Sequence, residues 1–287
     1  MRLSFLILTP ASIFLGFCTS LKAPGQINIY DVLLVLLGAV SAHISVNTLN
    51  EYFDFRSGLD TKTSKTPFSG GSGALVENPK AVNAVLNVAI AALSITILIG
   101  AYFIYRYGVL ILTIGFVGVL IILTYTQWLN RHPWLCLLAP GVAFGPLMVV
   151  GTHIVLTGEY SIVPLFVSLV PFFLANNLLL LNQYPDIAAD RSVGRRHFPI
   201  VYGVRYSTFI YGIFVAASCL TILSGIFLEY LPKTSFISLI PMSAAVVAFL
   251  GALKYATSVN KLVPYLGMNV VATLLTPILL GISIISG

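Results

Sequence analysis

The sequence predicts an all-α fold, a polytopic bundle of membrane-spanning helices. Two observations carry this. Of the 287 residues, 58% are hydrophobic and only 8% are charged, against about 25% charged in an ordinary soluble domain. The apolar residues also fall into long continuous runs rather than the alternating strands of a membrane barrel. Only helices or closed barrels satisfy every backbone polar group inside lipid, so runs of this length read as helices.

A spanning helix needs about 20 mostly apolar residues. About nine segments qualify, near 3–21, 30–53, 81–104, 108–128, 134–157, 161–182, 206–229, 234–254 and 263–285. The first reads as a membrane helix and not a cleaved signal, since no small-x-small site follows it. Pro10, Pro140, Pro146, Pro171, Pro241 and Pro277 lie inside these runs, where neighbouring helices can accommodate kinks. No linker or low-complexity tract divides the chain, so residues 1–287 read as a single membrane domain. Cys18, Cys136 and Cys219 sit within apolar runs and predict neither a disulfide framework nor a metal site.

The net charge of +6 is a matter of topology, and no nucleic-acid partner is expected. With nine spans, twelve of the fifteen Lys and Arg residues, Arg2 among them, fall on one side. Lys22, Arg106 and Lys233 fall on the other. This bias predicts a cytoplasmic N-terminus, with the loops after the second and sixth spans on the same side. A prokaryotic plasma membrane is the expected location. Oligomeric state is not legible.

Those two loops hold the informative acidic residues. The second span ends in Asn50-Glu51-Tyr-Phe-Asp54, with Asp60 following after five more residues. The sixth ends in Asn182-Gln-Tyr-Pro-Asp186, with Asp190 following after three. Spacings of three and four share one helical face, so His43, Asn47, Asn50 or Glu51, and Asp54 form a polar stripe on the second span. Such a stripe faces a bundle interior, where polar groups mark a site. Clustered carboxylates repel unless a cation lies between them, and Mg²⁺ binds through one or two carboxylates, waters and phosphate oxygens. Two facing Asp clusters therefore predict Mg²⁺ and, through it, a diphosphate. Lys62, Lys65, Arg191, Arg195 and Arg196 stand nearby in sequence and would offset phosphate charge. The Gly-rich stretch 66–73 lacks a Walker lysine; its backbone N–H groups suit phosphate contact, and a plain flexible connection fits it as well.

With its segments 50–60, 66–73, 145–151 and 182–203, the chain resembles the UbiA superfamily of intramembrane aromatic prenyltransferases. The five-residue gap between Asp54 and Asp60 and the Gly-Gly-Ser-Gly loop are similar to the 1,4-dihydroxy-2-naphthoate branch of menaquinone synthesis. The resemblance implies Mg²⁺-dependent transfer from a polyprenyl diphosphate to an aromatic acceptor in the membrane. Hydroxybenzoate, homogentisate, a lipid alcohol, or a non-catalytic isoprenoid phosphate carrier remain alternatives. It implies Asp54 and Asp186 as catalytic, Asp54, Asp60, Asp186 and Asp190 as metal-binding, and Asn50 and Asn182 as supporting residues. Lys65, Arg195 and Arg196 are its phosphate contacts. Two departures from the family pattern are Glu51, where Asp is common, and the proline-free loop 125–132.

Overall fold

The computed structural model describes residues 3–63 and 65–287; Arg2, used above for orientation, lies outside them. Nine apolar helical segments fill the described residues, at the positions the sequence predicts: α1 (Phe5–Ser20), α2 (Ile29–Arg56), α3 (Pro79–Tyr107), α4 (Val109–Thr124), α5 (Pro133–Thr157), α6 (Ile162–Asn182), α7 (Phe198–Phe227), α8 (Lys233–Tyr255) and α9 (Val259–Ser286). Seven are long and apolar enough to cross a membrane; α1 and α4 are shorter.

Local chemistry sets the boundaries. The Asn28 side chain accepts from Tyr30 N at 3.0 Å to start α2, and Ser161 does the same for α6 through Val163 N at 3.3 Å. Caps of this kind contribute about 1 kcal/mol each. Three helices depart from regular α-helix. The run from Phe198 is helical before the expected start near 206, but Gly203 at φ 81°, ψ 164° interrupts it, so the uninterrupted helix begins beyond that kink. The first turns of α8, Lys233–Leu239, are 3₁₀, ending just before Pro241, which has no N–H to donate. Within α5, Ala143–Val150 is π-helical and contains Pro146; π segments of this kind concentrate at functional sites.

Of the seven long helices, α5, α6 and α9 are the most enclosed, while α3 has only 11% of its apolar window buried. In lipid, apolar faces gain little by meeting each other, and close backbone approach drives packing instead. The α5–α6 contact shows this. A Cβ on Gly141 would lie 2.4 Å from the Phe172 carbonyl oxygen, and one on Gly145 would lie 2.5 Å from that of Ser168. Asn176 seals the contact by accepting from Gly141 N at 2.6 Å. α2 packs along α3, and α1 touches α2, α5 and α9. Between α2, α3, α4 and the π segment lies a cavity of about 760 Å³.

Candidate active site

The cavity has a charged end and an apolar arm. Asn50, Asp54, Asp60, Asn182, Asp186 and Asp190 all line its charged end, together with Arg195. From there the lining follows α2 inward to Val35, about 28 Å along the helix axis. Ile99, Phe103, Phe116, Phe144 and Leu147 wall the arm. The two Asp motifs, four spans apart in sequence, therefore meet at one place.

Arg195 joins them. Its Nη1 donates to Asp190 Oδ1 at 2.9 Å, and its Nη2 donates to Asp54 Oδ1. Burial works against the guanidinium charge, but Asp54 and Asp190 outweigh it and raise the arginine's pKa above the ordinary value. Here the protein itself supplies one positive charge between the clusters. His197, not singled out from the sequence, donates from Nε2 to Asp190 Oδ2 at 2.8 Å and is 2% exposed. A buried His beside a carboxylate leaves no periodic signal, and only its nearness to the second motif hinted at it.

The first motif is held differently. Asp60 lies against the Gly-rich loop: a Cβ on Gly71, whose φ is +66°, would come within 2.8 Å of Asp60 Oδ1. Burial raises the pKa of Asp60, the nearby Glu51 charge raises it further, and Arg195 and Lys65 oppose both. Ser72 Oγ donates to Glu51 Oε1. One residue group over, Gly70 N donates to Asp186 Oδ2 at 2.9 Å, so the loop reaches from the first motif to the second. Behind them, Thr126 Oγ1 donates to Asn50 Oδ1 at 3.1 Å, and the Asn130 carbonyl accepts from Arg196 N at 2.9 Å. The loop that departs from the family pattern thus braces both motifs.

Lys65 and Arg196 are not brought to the cavity. Lys65 Nζ pairs with the exposed Glu77 at 3.2 Å, its own side chain 46% exposed, and Arg196 is exposed as well. Lys62 instead spans the two loops, donating to Ser192 Oγ at 3.4 Å.

No group of three His, Cys, Asp or Glu side chains among the described residues is gathered closely enough to hold a metal unaided. That suits Mg²⁺, which keeps waters and shares its coordination with substrate phosphate. The donors at the charged end are predominantly oxygens, and the buried Asn182 Oδ1 has no hydrogen-bond partner among the described residues. The residues present fit the ion.

A helical membrane bundle with two Asp motifs at one end of a largely apolar cavity defines an intramembrane site of carboxylates facing a hydrophobic arm. The UbiA prenyltransferase family model matches residues 10–271, and the chain belongs to that family; it is an integral multi-pass membrane protein. It is 28% identical over 181 residues to a 1,4-dihydroxy-2-naphthoate octaprenyltransferase of Bacillus subtilis (strain 168), covering 62% of this chain and 57% of that protein. The match therefore spans little more than half the relative's length. Among solved structures, a UbiA homologue from Aeropyrum pernix K1 in its apo form aligns with TM-score 0.75 at 16% identity, covering 100% of this chain and 98% of that one. A UbiA homologue from Archaeoglobus fulgidus bound to DMAPP and Mg²⁺ aligns with TM-score 0.57 at 15% identity, covering 98% and 95%. At these identities the likeness concerns the fold.

Proposed function

We propose that this chain transfers the prenyl group of a polyprenyl diphosphate to an electron-rich aromatic acceptor within the membrane, with Mg²⁺ as cofactor. One observation carries the reading: a single cavity is charged at one end and continues as a largely apolar arm along α2 to Val35, about 28 Å from Asp54 along the helix axis. A polyprenyl diphosphate has the same division, a charged head and a long hydrocarbon tail. The acceptor proposed is 1,4-dihydroxy-2-naphthoate, supported by the five-residue gap between Asp54 and Asp60 and by the named activity of the Bacillus relative.

Asp54, Asp60, Asp186 and Asp190 would hold the metal, with Asn50 and Asn182 offering amide oxygens. Bound Mg²⁺ supplies electrostatic neutralisation of the leaving diphosphate. Arg195 stands between the motifs with its charge already in place, so little reorganisation is needed as negative charge develops. The allylic C–O bond breaks and its electron pair departs with the diphosphate. The apolar walls exclude water and protect the allylic cation from hydrolysis. A ring carbon of the acceptor then donates a π pair to form the new C–C bond. Loss of a proton from that carbon, or of CO₂ where it carries a carboxylate, restores aromaticity. The basic-residue bias supports an orientation with the N-terminus and both Asp loops on the cytoplasmic side of a prokaryotic plasma membrane.

Purified protein reconstituted in lipid, given radiolabelled prenyl diphosphate, Mg²⁺ and a panel of aromatic acceptors, should yield a prenylated product that EDTA abolishes. Tight Mg²⁺-dependent binding of the diphosphate with no product from any acceptor would contradict transfer and favour a carrier.

A further inference from the structure

Beyond the Asp motifs the polar stripe of α2 continues into the apolar arm through Asn47 and His43, both of which line the cavity. His43 lies eleven residues before Asp54, about 16 Å along the helix. Further in, the α2 lining is Ala42, Ala39, Gly38 and Val35, all without polar side chains. His43 is therefore the innermost polar side chain that α2 contributes, and it is only 7% exposed.

Its imidazole is fixed on two sides. The ring meets Phe144 edge-on, with centroids 5.1 Å apart, and Nδ1 lies 2.8 Å from Thr9 Oγ1 on α1. A second pair on the same helix shows what the Thr9 contact means. Thr19 gives its hydroxyl proton to the Gly16 carbonyl at 2.7 Å, so its oxygen must accept from His153 Nδ1 at 3.1 Å. Thr9 has no such carbonyl among the described residues, which leaves its hydroxyl proton for His43 Nδ1; this direction is the one we assign to the contact. The ring proton of His43 then sits on Nε2, because the bond made by one nitrogen sets the tautomer at the other.

That Nε2–H has no protein partner among the described residues, and the His43 side chain lines the cavity. The arm of the cavity is the open space beside it. One turn nearer the motifs, Asn47 Nδ2 donates to the His43 carbonyl at 3.0 Å. A carbonyl can only accept, so this bond orients the amide, and Asn47 Oδ1 is left without a partner among the described residues. A donor and an acceptor thus stand one helical turn apart in an otherwise apolar space. The other polar groups at this depth, the Thr96 and Thr152 hydroxyls, are spent on carbonyls of their own helices at 2.9 and 2.6 Å.

A hydrocarbon tail has no use for such a pair, and a diphosphate belongs among the Asp motifs. A hydroxyl on an aromatic ring suits it, since its oxygen accepts one hydrogen bond and its proton makes another. We propose that His43 and Asn47 form a subsite for a phenolic hydroxyl of the aromatic acceptor, and so select rings that carry an oxygen there. The proposal rests on the prenyl-transfer reading. It adds a recognition element that the Asp motifs do not supply. Sites built to hydrogen-bond a substrate hydroxyl reject analogues that cannot do so more strongly than apolar pockets reject extra bulk.

The test uses the full chain in lipid, with the same prenyl diphosphate and pairs of acceptors, each phenol beside its O-methyl ether. For the unaltered protein the KM of the ether should exceed that of the phenol by about tenfold or more. His43→Phe keeps the ring packing and removes the donor; Asn47→Leu removes the acceptor. Asn47→Leu should raise the phenol's KM by about tenfold and shrink the ether-to-phenol ratio to about twofold. His43→Phe removes a bond that the phenol and ether oxygens both accept, so it should raise both KM values by about tenfold; His43→Gln, which restores an N–H, should recover part of that loss. The KM for prenyl diphosphate should stay unchanged in each. An unchanged ratio in Asn47→Leu, unchanged acceptor KM values in His43→Phe, or an equal rise in the prenyl diphosphate KM would overturn the subsite while leaving prenyl transfer intact. Absence of any product from the unaltered protein would instead strike at the prenyl-transfer reading, and this proposal would fall with it.

Discussion

The two Asp motifs share a sequence pattern, yet the fold holds their second aspartates by different means. Asp190, in the second motif, receives the side chains of Arg195 and His197. Asp60, in the first, lies against the backbone of the Gly-rich loop at Gly71, and the Glu51 charge beside it works against its ionisation. The leading aspartates are tied in across the site: Asp54 pairs with Arg195, and Asp186 accepts from Gly70 N. Among the described residues, Arg195 is the side chain that pairs with both motifs. The difference teaches that Asp190 is the pre-organised carboxylate and Asp60 the one whose negative charge a bound cation would relieve.

Disabling either motif should have the largest effect. Asp54→Asn and Asp186→Asn should each lower the transfer rate by about a thousandfold, as loss of a central electrostatic group does, with the protein still recovered in membranes and folded by circular dichroism. A variant retaining activity within tenfold would break the equivalence of the two motifs. Next comes the bridge. Arg195→Ala leaves two carboxylates facing each other without their shared cation, and breaking one partner of a buried pair costs about 3 kcal/mol. A detergent melt should register that loss, together with a fall in activity. Arg195→Lys should recover part of the stability and less of the rate, since one ammonium cannot reproduce the two-armed contact.

Smaller effects separate backbone from charge. Gly71→Ala forces a Cβ into a left-handed position and toward Asp60 Oδ1. The KM for prenyl diphosphate should rise by about tenfold, with thermal stability changed by about 1 kcal/mol at most. Lys65→Ala should change the rate by less than about twofold, since exposed pairs such as Lys65–Glu77 contribute little. A large effect there would show that Lys65 leaves Glu77 for the substrate phosphate.

Much of this was legible in the sequence because lipid imposes strict rules. Unbroken apolar runs marked all nine helical segments, and the matched Asn and Asp spacings marked the residues that meet at the charged end. Distance along the chain, in contrast, was a poor guide to which basic side chains join them. Arg195 and Arg196 are adjacent, yet only Arg195 lies between the carboxylates, because the stretch that follows the short helix Ile187–Ser192 turns Arg195 inward and leaves Arg196 exposed. The contacts of Thr126 with Asn50 and of Asn130 with Arg196 were equally hidden, since the loop that makes them lacks the prolines that would have marked it. The π segment of α5 and the kink at Gly203 depend on packing against neighbours, which hydropathy does not record.

The central claim is that both motifs act together, through Mg²⁺, on one diphosphate. Titration of a non-reactive prenyl thiolodiphosphate into the lipid-reconstituted protein, with and without Mg²⁺, tests it most directly. Binding should require Mg²⁺ and should weaken by at least about a hundredfold in both Asp54→Asn and Asp186→Asn. Binding that persists in EDTA, or that survives unchanged in either variant, would contradict it.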